Sequence, residues 1–229
     1  MNWKTAHSIN QKTFSIGAGW EAKIVSLLLL LSKNKDKKSN VEKAVLISYL
    51  EQELDKIKNA EMEALDNITA LAYPYARNAT LLELNGPTYP SLSIGYSSSW
   101  CQDGKNWKER VVNNIEATKS ELEGLILGFD GDPIVLMGLI DDVLKKAQNE
   151  WKRLLRTEIE SCYVQGARDA NLMKGARYAV IENDNPCDEI CAEMVGEHEV
   201  SLYGTLGIDL PPYHPNCQCV FLGVFEDNF

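Results

Sequence analysis

A chain of 229 residues with 45% hydrophobic content is long enough to bury a core, as one larger domain or two small ones. Its 33 acidic residues outnumber 23 basic ones, and the formal net charge of -10 repels phosphate backbones, which excludes extended DNA binding and leaves room for a weak contact only. The longest apolar stretch, Ile24 to Leu31, is interrupted by Ser26 and is far shorter than the roughly 20 residues a membrane-spanning helix needs, while the polar opening through Lys12 lacks the apolar core of a secretory signal; neither a membrane partner nor export is expected.

From about Trp20 to Ser32, and again from Val41 to about Leu71, apolar residues recur at three- and four-residue intervals, as in Val41, Ala44, Val45, Tyr49, Leu50, Leu54 and Ile57. That period predicts a pair of amphipathic helices. Lys33, Lys35, Lys37 and Lys38, broken by Asn34 and Asp36, read as a solvated loop between them. Between Asn85 and Gly104 the chain turns rich in Gly, Pro, Ser and Tyr, which defeats both helical and strand periodicity and marks a domain boundary or long connection. Its segment Tyr89 to Trp100 is a candidate partner contact or a loop packed on its own domain. Residues 1–100 thus read as a helical N-terminal region ending in this connection, and residues 101–229 as a second domain.

Helical patterning resumes at about Asn106 and runs to Leu127, where Gly128, Gly131 and Pro133 stop it. Asp132 is placed to cap the next helix, with Pro133 in its first turn. That helix is expected to reach about Gln148, and a further one to span roughly Glu150 to Met173, with Gly175 just past its end. Within it Arg156 and Glu160 have the spacing of a surface ion pair. The period then changes. Arg177 to Ile181, Glu199 to Tyr203 and Cys219 to Phe225 are short, apolar and rich in Val, Tyr and Phe, as strands are. The expected fold class is α+β, predominantly α-helical, with a small β-containing Cys/His module over about 185–225.

Six cysteines occur, four of them at 187, 191, 217 and 219, near His198 and His214. Without a secretion signal, such clustering points to a metal or to redox chemistry before a disulfide framework. Cys187 and Cys191 are separated by three residues, within the ligand spacing of structural zinc sites. Pro215 and Asn216 favour the centre of a tight turn that brings His214 and Cys217 together, and Cys217 and Cys219, two apart, face one side of an extended segment. Cys187, Cys191, His214, Cys217 and Cys219 are therefore five candidates for the four positions of one structural Zn2+, with His198 a weaker sixth. The alternatives are that these thiols are small buried apolar groups or disulfide partners. The 22-residue connection from Cys191 to His214 contains Gly196, Gly204 and Gly207 and looks poor in apolar residues, so a cross-link is expected to hold its ends.

The ordered set of motifs resembles one family, the Mu F-like minor head (head-morphogenesis, minor capsid) proteins of tailed phages and prophages. It comprises Asn106 to Arg110, the break at Gly128 to Gly131, Arg156-Thr157-Glu158, Cys187 and Cys191 with Gly196, and Pro211-Pro212-Tyr213-His214-Pro215-Asn216-Cys217-Gln218-Cys219. Two positions depart from that pattern: three residues separate Cys187 and Cys191 where the family usually has two, and Gln218 stands where it usually has Arg. The resemblance covers about the C-terminal half. It implies a non-enzymatic virion protein in the head interior near the portal, assembled in the host cytoplasm with the portal and other head proteins and acting in head assembly, genome packaging or ejection. The DNA contact expected there is at most weak, and no small-molecule substrate is implied.

The competing class is an effector or toxin-related enzyme carrying a head-like domain. Arg77, Ser97 to Ser99 and Glu158-x-Glu160 loosely match elements of ADP-ribosyltransferases, but those glutamates belong at a strand or loop beside a nicotinamide pocket and here fall inside a helical pattern. A zinc deaminase places its His-x-Glu before a Pro-Cys-x-x-Cys, whereas His198-Glu199 follows Pro186-Cys187. The three-residue gap also departs from thiol-redox Cys-x-x-Cys. Effectors of this kind append a toxin domain after the final motif, and ten residues follow Cys219 here.

Overall fold

Two periodicities, three-to-four and then two, organise the chain in the order the sequence places them. The computed structural model describes residues 40–89, 105–183, 186, 188–196, 199–214 and 217–225. In chain order these form α1 (Asn40–Glu83), α2 (Trp107–Gly128), α3 (Pro133–Met173), β1 (Tyr178–Glu182), α4 (Glu189–Met194), β2 (Glu199–Ser201) and β3 (Val220–Val224). The fold is mainly helical with a small antiparallel sheet toward the C-terminus, as the sequence predicts. The helix expected over Trp20–Ser32 lies outside the described residues, as does nearly all of the Tyr89–Trp100 segment. No helix among the described residues is long and apolar enough to cross a membrane.

Two helices are longer than the sequence reading has them. α1 does not stop near Leu71 but continues through Pro74 to Glu83; a proline costs one backbone hydrogen bond, and buried Ala72, Tyr73, Ala76 and Leu81 keep the helical spacing going past it. The expected break near Asn149 is absent, and α3 is one helix of 41 residues. Lys145 to Arg153 is charged but holds no Gly or Pro, and Lys, Gln, Glu and Arg are good helix formers. The ends are as read. The Ile134 N–H donates to Asp132 Oδ1 at 2.9 Å, capping α3. Gly175, at φ +93°, takes the left-handed turn that ends it, with the Ala176 N–H donating to the Asn171 carbonyl at 3.0 Å.

The described residues fall into two compact units, one within Leu65–Trp107 and Arg153–Phe229, the other within Asn2–Ala64 and Lys108–Lys152. Because α1 and α3 contribute to both, the units interleave along the chain.

The second unit is a helical core. Leu46, Leu50, Leu54 and Ile57 of α1 pack with Ile115, Leu122 and Ile126 of α2 and Ile140, Leu144 and Ala147 of α3, each set spaced to put one stripe of its helix inside. Lys43 Nζ donates to the carbonyls of Leu127 and Phe129 at 3.2 and 2.8 Å, placing a cation on the carbonyls at the end of α2. Lys119 pairs with Asp55 at 2.9 Å and with Glu116 at 3.1 Å.

In the first unit the later part of α1 packs on the later part of α3 through Ala72, Tyr73, Ala76, Cys162 and Tyr163. Gly166 sets that approach: a methyl group there would come within 2.5 Å of the Tyr73 carbonyl oxygen and 2.8 Å of the Arg77 nitrogen. The Tyr73 hydroxyl donates to Asp169 across the same contact. The sheet, in order β2-β1-β3, is antiparallel throughout, with Ala179 opposite Val200 and Gly223. Along β1, Ala179 and Ile181 are buried and Tyr178 and Glu182 exposed, the period of two expected of a half-buried strand.

The close approach at Gly166 generates a paired prediction. Gly138→Ala, on the exposed side of α3 with open space around it, stabilises by about 1 kcal/mol through helix propensity. Gly166→Ala destabilises by about 1–3 kcal/mol because backbone must move. Thermal or urea unfolding of both variants checks this; stabilisation by Gly166→Ala would show that the two helices are not held at this distance.

Candidate metal centre

The C-terminal module begins where β1 ends. Asp188 precedes the short α4 and caps it, its Oδ1 accepting from the Cys191 N–H at 2.8 Å. This cap fixes the first turn, and with it the direction of the Cys191 side chain into the interior. The chain then pairs as β2, turns through residues 204–210, and arrives at Pro211-Pro212-Tyr213-His214. The Cys217 N–H donates to the His214 carbonyl at 3.1 Å, closing the tight turn that the sequence predicts. Val220 then enters β3.

One expectation about this connection is corrected. Leu202, Leu206, Leu210 and Tyr213 are all buried and belong to the same core as Ala179, Ile181 and Phe221. Its apolar residues are few, and these four are spaced so that they turn inward while Tyr203 and Ile208 stay exposed. The connection is further tied by Asp209, whose Oδ2 accepts from the Thr205 N–H at 2.7 Å and whose carbonyl accepts from the Tyr213 hydroxyl at 3.2 Å. A cross-link therefore adds to a core that already exists.

Inside that core the ligand atoms gather around one residue. Cys191, Cys217 and Cys219 are buried with their sulfurs mutually within 4.8 Å, and Asp188, Cys191 and His214 form a second group of the same size. Cys191 belongs to both. Its Sγ lies 2.9 Å from His214 Nε2 and 3.7 Å from Cys217 Sγ, and His214 Nε2 lies 3.2 Å from Asp188 Oδ2. Four of the five candidate ligands, Cys191, His214, Cys217 and Cys219, are thus brought together. Cys187 and His198 lie outside the described residues. Asp188 joins the group without having been marked by ligand spacing; its signal is the capping pattern of an Asp three residues before a cysteine that must point inward.

The donor set can hold a metal ion. Two sulfurs on a tetrahedral zinc with bonds of about 2.3 Å stand about 3.8 Å apart, which the 3.7 Å Cys191–Cys217 edge matches. The Cys191–His214 edge of 2.9 Å is shorter than the roughly 3.5 Å such an ion requires, so the imidazole must withdraw by about half an ångström to share it. None of Cys162, Cys191, Cys217 and Cys219 is in a disulfide. Burial pushes the Cys191 thiol far above the ordinary range and the Cys217 thiol up to about 11, backbone N–H groups at Tyr213 and Cys219 opposing the shift at Cys217. A bound cation reverses that balance, since it is the thiolate that coordinates. The Asn183 amide donates to Cys219 Sγ at 3.3 Å, an outer contact of the kind that orients a ligating sulfur.

The same geometry argues against a thiol nucleophile. In a Cys–His–Asp relay the imidazole uses one nitrogen for the thiol and the other for the carboxylate; here both partners meet Nε2. Glu158 and Glu160 lie within α3, as the periodicity has them, and Glu158 is fully buried. The expected Arg156–Glu160 pair does not form among the described residues: Arg156 faces solvent, and Glu160 turns toward β3.

No family model, no curated protein and no solved structure matches this chain.

Cobalt(II) added to the reduced protein should give the absorption of a thiolate-bound, tetrahedral ion. Cys191→Ser, which removes the residue common to both groups, abolishes it, while Cys162→Ser, buried elsewhere in the helices, leaves it unchanged. Equal spectra from the two variants would contradict a site centred on Cys191.

Proposed function

We propose that this chain is a minor head protein of the Mu F-like type, a binding and assembly component that does not catalyse a reaction. The observation that carries the reading is that the final, most specific motif and the clustered donors are one segment: Pro211 to Cys219 supplies His214, Cys217 and Cys219. The motif thus has a physical task, to present three donors from a single tight turn and the strand entry that follows it.

In this reading Cys191, His214, Cys217 and Cys219 hold one zinc ion. Four protein ligands close the coordination shell and leave no position for water or substrate, so the ion braces the fold. Its partners are the portal and other head proteins, its place the head interior near the portal, and its work head assembly with packaging or ejection of the genome. The net charge of -10 suits a protein that sits near packaged DNA without being held on it.

Co-expression with the portal protein encoded by the same phage or prophage tests this. The two are expected to co-purify, and the chain to be found in purified virions in fewer copies than the major capsid protein. Failure to co-purify together with absence from virions would overturn the reading.

A further inference from the structure

Beside the metal centre, which it meets at Cys219, a cavity of about 420 Å³ opens between the end of α1, the later part of α3 and β3. Its floor is apolar, formed by Val164, Ala167 and Phe221, but one carboxylate in it has no partner among the described residues. It is that of Glu160, whose pKa burial raises to about 7. Glu83 adds a second carboxylate at the exposed rim.

Among the described residues β3 is an edge strand, paired with β1 on one side only. Five successive residues, 219–223, border the cavity. Because alternate residues of a strand face opposite ways, a cavity against one face would touch every second residue; a consecutive run means that it follows the strand's open edge. Val220 and Leu222, 45% and 55% exposed, stand beside it. An apolar strand edge of this kind accepts another strand unless charge or cover protects it.

We propose that this groove receives an extended basic segment of a partner protein, which adds as a strand to the open edge of β3 and seats a lysine or arginine side chain against Glu160. Charge complementarity selects this occupant. An unpaired, partly buried carboxylate favours a cation, and a lysine or arginine stem can lie on the apolar floor. The chain's own residues after β3 include Glu226 and Asp227, which carry the opposite charge. The proposal does not rest on the head-protein reading or on a bound metal ion, although Cys219, a candidate ligand, borders the groove.

The test titrates the full-length protein against a fluorescent, alternating lysine–valine peptide of about eight residues, long enough to pair along one strand. Saturable binding is expected, about tenfold weaker with Glu160→Gln, with an alternating glutamate–valine peptide, and with a peptide N-methylated at alternate amides. Glu160→Gln keeps the side chain's shape and removes a buried unpaired charge, so it should fold; far-UV circular dichroism checks this. Independently, amide exchange at residues 220–224 of the unaltered protein slows when the lysine–valine peptide binds. Absence of saturable binding, equal binding by Glu160→Gln, equal binding of the methylated peptide, or unchanged exchange at 220–224 would each overturn the proposal.

Discussion

A thiol at the centre of a hydrophobic core is either an apolar filler or a ligand, and the neighbours of Cys191 suit a ligand. Fillers are surrounded by carbon. Cys191 instead meets two other sulfurs, an imidazole and, through that imidazole, a carboxylate. The three thiols are buried, His214 is half-buried and Asp188 is exposed, so the donors converge from the core outward to the surface. A cation could bind these donors together, and the local devices of the module position them for it. The Asp188 cap aims Cys191, the turn closed by the His214 carbonyl brings Cys217 around, and Asn183 steadies Cys219.

The module's apolar core and its donor cluster are complementary. Leu202, Leu206, Leu210 and Tyr213 bury the connection, so its loops are ordered by packing as well as by ligation. Among the described residues the sheet is small, three strands of which β1 alone is paired on both sides, and a core of that size gives limited stability without help. Metal at Cys191 would tie the turn before β3 to the helix after β1, points far apart in sequence whose separation makes the loop entropically costly to close.

Much of this architecture is legible in the sequence because local rules act there without competition. Asp132 and Gly175 mark helix ends by capping chemistry, the three strands show as short Val- and Phe-containing runs, and His214-Pro215-Asn216-Cys217 reads as a turn because proline and asparagine favour it. The failures occur where a non-local term wins. Helix α1 passes Pro74 because buried residues on both sides of it outweigh the lost hydrogen bond, and α3 passes Asn149 because a change in apolar phase is not a breaker. Asp188 is hidden by its double role, since a capping residue and a ligand neighbour look alike in one dimension. Glu160 has the spacing of an ordinary surface pair with Arg156, and only the position of β3 shows that it faces a cavity instead. The interleaved units are likewise invisible to periodicity, which sees helices but not which parts of them pack together.

The central claim is that Cys191 and its neighbours are metal ligands and not core filler. The most direct measurement is metal content of protein purified anaerobically, combined with amide exchange before and after chelation. The account predicts about one zinc per chain. On chelation, exchange should quicken over residues 188–194 and 210–219 and stay unchanged in the core around Leu54, Ile115 and Ile140. Less than about 0.2 zinc per chain, with residues 188–194 and 210–219 equally protected with and without chelator, would contradict it and leave the thiols as part of the apolar core.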